Sequence, residues 1–88
     1  MDKPALTPKD IGLIVRATRI AQGIRAQDLA GIASPRFLTG LEAGKPTAQL
    51  GKVLDVLEGL GIRVYLDIPD DVQLPANLTE IQGKRISR

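Results

Sequence analysis

An 88-residue chain with twelve Lys and Arg, ten Asp and Glu and a net charge of +2 is long enough for one domain and short enough for its core to be marginal. It has no Cys and no His, which excludes disulfides, thiolate metal sites and the usual general base. One Phe, one Tyr and no Trp leave Leu, Ile, Val and Ala to fill the core, so self-association is an expected stabiliser. No stretch approaches the ~20 apolar residues of a membrane span and no signal-peptide run is present, so a cytoplasmic protein without a membrane partner is expected.

Residues 1–6 read as a loose leader. Thr7-Pro8-Lys9-Asp10 then predicts a helix start, with Thr7 as cap, Pro8 at the first helical position and Asp10 near the positive end of the dipole. Ile11, Ile14, Val15 and Thr18 form its inward stripe, with Ala21 a turn further on, and Gly23 ends it. Arg16 and Arg19 share the neighbouring face, either solvated or placed to clamp phosphates. Residues 25–33 predict a short second helix, with Leu29 and Ile32 or Ala33 inward and Ala30 small enough for a close helix crossing.

Ser34-Pro35 restarts the chain as a third helix running to about Ala43. Phe37, Leu38 and Leu41 share its inner face, while Arg36, Thr39 and Gly40 point elsewhere. Glu42 to Pro46 breaks the pattern, and Thr47 is a suitable cap for a fourth helix. Leu50, Val53, Leu54, Leu57 and Leu60 repeat at helical spacing up to Gly61.

Residues 62–68 change period. Ile62, Val64, Leu66 and Ile68 alternate with Arg63, Tyr65 and Asp67, which predicts a strand. A lone strand has unpaired edges, so pairing with the same strand of a second copy is expected, with Ile62, Val64, Tyr65, Leu66 and Ile68 at the dimer contact. Residues 69–88 read as a flexible tail with one helical turn around Leu78 to Gln82 and a basic end. The predicted organisation is thus a helical domain over 1–61, a dimerisation strand over 62–68 and a tail over 69–88.

Two short helices joined by a tight turn, the second carrying Arg36 and Thr39 outward, have the layout of a helix-turn-helix. The runs Gln27-Asp28-Leu29-Ala30, Arg36-Phe37-Leu38, Leu41 to Thr47 and Leu50 to Leu54 resemble the Xre/Cro-type helix-turn-helix regulators, and within them the HipB-like antitoxins. The resemblance covers roughly residues 8–68. It implies a mainly α fold, a bundle of about four helices followed by one C-terminal strand that pairs across a dimer. It also implies a repressor that binds palindromic double-stranded operator DNA, regulates its own operon and holds a HipA-like serine/threonine kinase toxin inactive. By position, Ser34, Pro35, Arg36 and Thr39 match the major-groove residues. Arg25, Ala26 and Gln27 match the start of the second helix, where phosphates are contacted, and Arg16, Arg19 and Lys45 are further cations for phosphate. The turn before the third helix is about two residues shorter than usual for the family, and Ala26 stands where Gln is usual.

The alternative is a protein-binding antitoxin module with weak or lost DNA binding. An enzyme is disfavoured, since the only close carboxylate pair, Asp70-Asp71, reads as a turn, and no Gly-rich phosphate loop follows a strand. No cofactor and no metal site is expected.

Overall fold

Local signals set where the helices begin. In the computed structural model, which describes residues 4–5 and 7–79, the first helix is α1 (Pro8–Ala21). The Thr7 hydroxyl accepts the Asp10 N–H and the Asp10 carboxylate accepts the Thr7 N–H, each at 3.1 Å, which closes a capping box in front of Pro8. The helix α2 (Pro35–Glu42) is capped by Ser34, whose hydroxyl accepts the Phe37 N–H at 3.0 Å. A third helix, α3 (Leu50–Gly59), follows a loop.

All three helices stop by one device. Gly23, Gly44 and Gly61 have φ of 70°, 86° and 78°, the left-handed region that disfavours any side chain. Each Gly N–H reaches back to a carbonyl of the last turn, that of Ile20, Leu41 or Glu58. The following N–H reaches one residue further back, to Arg19, Gly40 or Leu57. These paired bonds are a Schellman closure, in which the residue after the glycine usually adds an apolar contact. Ile24 and Ile62 do so and pack against the core; after Gly44 that residue is Lys45, which is exposed.

The core is a single cluster of Val15, Leu29, Ala33, Leu38, Leu41, Val53, Val56, Leu57 and Leu60. α1 crosses the end of α2 at Gly12, where a Cβ would strike the Leu41 carbonyl oxygen and come within 2.7 Å of that of Glu42. The far end of α1 is fastened to α3 by the Gln22 amide, which donates to the Leu60 carbonyl at 2.9 Å.

Several expectations are corrected. Among the described residues there are three α-helices rather than four, and no strand. The expected second helix over 25–33 shrinks to a 3-10 turn, Ala26–Leu29, followed by turns through Ile32. Its bonds reach three residues back (Ala30 N–H to Gln27, Ile32 N–H to Leu29), and a bond reaching four back, Ala33 N–H to Leu29, comes only at its end, just before the extended Ser34 that Pro35 requires. Residues 62–68 form no ladder, since a strand needs a neighbour for its backbone groups and no described segment offers one. Of the alternating residues only Ile62 packs on the core; Val64, Leu66 and Ile68 are exposed.

Thr47 does not cap α3. The Ala48 N–H bonds the Lys45 carbonyl at 3.3 Å across Pro46 and Thr47, so Thr47 lies inside a turn and Gln49 stands at the cap position without a side-chain bond. The buried face of α3 is Val53, Val56, Leu57 and Leu60, whereas Leu50 and Leu54 are exposed. Ala21 and Ala30 are exposed too, and the close helix crossing occurs at Gly12 instead. A 3-10 turn, Ala76–Thr79, overlaps the start of the helical turn expected around Leu78 to Gln82, and residues 80–88 with the basic end lie outside the described residues, as do 1–3 and Leu6 of the leader.

Candidate nucleic-acid interface

α2 has two kinds of polar surroundings. At its last residue, Glu42 receives two hydrogen bonds from Arg19, Nε to Oε2 at 2.7 Å and Nη2 to Oε1 at 3.1 Å. The remaining Arg19 nitrogen, Nη1, donates to the Ile24 carbonyl at 3.0 Å, just beyond the end of α1. Arg19 and Glu42 are largely buried, with side chains 13% and 9% exposed. The bonds to Glu42 hold the Arg19 guanidinium protonated even more firmly than usual, against a smaller opposing effect of burial. Arg16 adds a longer contact to the same carboxylate at 3.6 Å from an exposed position. This junction joins α1 to α2 and leaves Arg19 little reach for phosphate, while Arg16 is exposed and held only by the longer contact.

The 3-10 turn, which packs against α2, carries a second ion pair. Arg25 donates through Nε and Nη2 to Asp28 at 3.3 and 3.1 Å, and the Asp28 carboxylate also accepts the Arg25 backbone N–H at 2.8 Å. The guanidinium hydrogen bonds, helped by that backbone bond, lower the Asp28 carboxyl below its ordinary range. Both side chains remain exposed, as does Gln27 beside them.

The start of α2 is open. Ser34, Pro35, Arg36 and Thr39 are all exposed. Ser34 is engaged as the cap through its oxygen, and the Thr39 hydroxyl donates to the Pro35 carbonyl at 2.9 Å, which leaves its methyl and its acceptor capacity free. Arg36 makes no ion pair among the described residues. It lines a depression of about 350 Å³ between α2 and the start of α3, shared with Ser34, Lys45, Thr47, Gln49 and Lys52. Three cations and no carboxylate line this hollow.

The structure therefore brings Ser34, Arg36 and Lys45 together, keeps Thr39 on the same short helix, and sets Arg16 and Arg19 at the Glu42 junction instead. Sequence reasoning did not place Lys52 and Gln49 beside Arg36, because nothing local shows that the start of α3 lies beside the start of α2. It also missed Glu42 as the partner of Arg19, a pairing of residues far apart in the chain.

No family model matches the chain, and no solved structure matches it. A curated relative does: an uncharacterized HTH-type transcriptional regulator, y4mF, of Sinorhizobium fredii (strain NBRC 101917 / NGR234). It is 49% identical over 73 residues, which cover 81% of this chain and 96% of the relative.

Proposed function

Because the chain belongs to the family of HTH-type transcriptional regulators, we propose that it binds double-stranded operator DNA and represses transcription, with the start of α2 in the major groove. The observation that carries this reading is the open, carboxylate-free hollow at the start of α2, with Arg36 unpaired among the described residues. Arg36 reaches guanine O6 and N7, Thr39 meets a base edge or a thymine methyl, and Ser34 and Pro35 set the entry angle. Arg16, Lys45 and the exposed turn residues Arg25 and Gln27 face backbone phosphates; Arg19 serves this role only by anchoring α2.

The finer reading is a homodimer that acts as the antitoxin of a HipA-type kinase toxin and regulates its own operon. The resemblance of the run from Leu41 to Leu54 supports the toxin partner. The exposed apolar residues Val64, Tyr65, Leu66 and Ile68, beside half-buried Ile62, support self-association through that segment by apolar contact rather than by a shared sheet.

A gel shift on the protein's own promoter against a scrambled duplex tests the DNA reading. Arg36→Ala should weaken the specific complex about ten- to a hundredfold, the cost of one bidentate guanine contact. Unchanged operator affinity would remove Arg36 from the readout, and a wild-type protein with no affinity for DNA would leave the protein-binding module as the function. Co-expression with a neighbouring kinase gene and recovery of a stoichiometric complex tests the antitoxin role.

A further inference from the structure

Helix α3 contains two glycines, and they differ in what stands beside them. At Gly51 an added Cβ would meet nothing within 4 Å; at Gly59 it would stand 2.6 Å from Cδ1 of Ile32 and 3.9 Å from its Cγ1. Gly59 is exposed and its φ lies outside the left-handed region, so its backbone conformation does not call for glycine. Glycine inside a helix is disfavoured against alanine, and here the missing side chain leaves the notch that the tip of Ile32 fills. Ile32 is still 40% exposed, so the contact is a seat at the surface and not part of the buried cluster.

Two parts of the chain meet at that seat. Ile32 lies between the 3-10 turn and α2, two residues ahead of the Ser34 cap. Gly59 is the last residue of α3. The end of α3 is also gripped by the Gln22 amide on the Leu60 carbonyl. Ile62, packed on the core, then carries the chain into the exposed apolar residues Val64, Leu66 and Ile68. The core grips α2 along its length through Leu38 and Leu41, but Pro35 and Arg36 at its start are exposed and Phe37 is half-buried. Ahead of that start the chain is held by buried Ala33 and by Ile32 on Gly59.

We propose that Ile32, seated on Gly59, is the positioning residue that fixes the start of α2 relative to the self-association segment, and so sets the separation of the two half-sites that a pair of copies reads. The inference rests on the DNA-binding and homodimer readings and adds to them the contact that ties one to the other. In a two-fold pair the half-site spacing follows from the distance and angle between the two reading helices. One extra base pair moves the half-sites apart by about 3.4 Å and turns them by about 35 degrees, so a spacing preference requires a reading helix that does not rock on the dimer. The seat limits that rocking at the exposed start of α2.

The test uses the full chain and duplexes built on the palindrome that it protects in its own promoter. One duplex keeps the natural spacing, two have a base pair removed or added between the half-sites, and one carries a single half-site. Ile32→Ala empties the seat and Gly59→Ala fills it. Each should lower the preference for natural spacing by about two- to thirtyfold, while affinity for the single half-site stays within about twofold of wild type. Gly59→Ala should melt at or above wild type, because alanine suits a helix better, which separates the spacing effect from loss of the fold. Ile32→Val removes Cδ1 and keeps Cγ1, at 3.9 Å from the new methyl, so adding it to Gly59→Ala should regain most of the preference. The proposal is overturned if both single variants keep the wild-type preference, if the single half-site weakens as much as the palindrome, or if Ile32→Val fails to rescue Gly59→Ala. Wild type that binds all spacings alike overturns it too, and shows that no joined pair reads the site. Wild type that binds no duplex sinks the DNA reading and the seat together. In those last two outcomes wild type itself fails, whereas a failed seat leaves wild type and the variants equally selective.

Discussion

The two polar regions that touch α2 are built on opposite principles. At the Glu42 end, each Arg19 nitrogen group has a partner, both side chains are mostly buried, and α1 approaches so closely at Gly12 that a methyl group would not fit. At the Arg36 end, three cations share a hollow with no anion. One region uses charge to hold a helix in place, and the other leaves charge unspent. An unpaired cation on an exposed helix adds nothing to folding, and one that is both paired and buried has little left to offer a ligand. The comparison separates arginines that are indistinguishable by type: Arg19 is bound into the scaffold, Arg36 is exposed and without an ion pair among the described residues, and Arg16, in longer contact with Glu42 from an exposed position, stands between them.

The comparison is broken most severely at Gly12. Gly12→Val places a Cβ against backbone carbonyls that cannot swing aside, so overpacking should cost about 3 kcal/mol or more. In so small a domain that lowers the melting temperature by more than ten degrees, at ~4–8 degrees per kcal/mol. A thermal melt within a few degrees of wild type would show that α1 can back away from α2. Next comes Glu42→Gln, which leaves the Arg19 charge largely buried without its counter-ion. Loss of a charge-assisted bond should cost about 1.5–3 kcal/mol by urea denaturation, and the operator should be weakened more than a scrambled duplex because α2 is held less firmly. Equal losses on both duplexes would detach the junction from readout.

A milder test sharpens the boundary between the two regions. Gly51, on α3, has nothing within 4 Å of an added Cβ and no positive φ, so Gly51→Ala should stabilise by roughly 0.5–1 kcal/mol, with sign opposite to the change at Gly12. The smallest expected effect concerns Asp28. Its carboxyl is held below the ordinary range by Arg25, so the ionised form favours the fold above the unfolded pKa of about 4, and that contribution is lost as the pH falls through the lower folded value. Asp28→Asn should therefore melt slightly below wild type at neutral pH, with the gap closing in acid. A gap that does not change with pH would mean that the ion pair has no energetic weight.

How much of this was legible in the sequence depends on range. Thr7, Pro8, Asp10, Ser34 and Pro35 act within one helical turn of themselves, and the starts of α1 and α2 lie where those residues predict. Gly23, Gly44 and Gly61 are equally local. The phase of α3 was not legible, because Leu50, Val53, Leu54, Leu57 and Leu60 overlap a second stripe through Val56, and only the neighbouring helices select between them. The exposed cations at the start of α2 could be read from type and position, but their partners could not. That Arg19 is occupied by Glu42, and that Lys52 joins Arg36, are facts about chain crossings. The segment 62–68 shows the same limit from the other side: alternation tells which residues share a face, and nothing about whether a neighbouring strand exists.

The three glycine stops also bear on handedness. Gly23, Gly44 and Gly61 sit where an L-residue is strained and its mirror image is at ease. At Gly23 and Gly61 the surroundings are open on the side where an L side chain would stand. At either place L-alanine would oppose the stop through backbone strain alone, whereas a D-residue has the backbone preference that the stop requires. Those points are, in effect, mirror-image residues that ribosomal chemistry can supply only as the one amino acid without a hand.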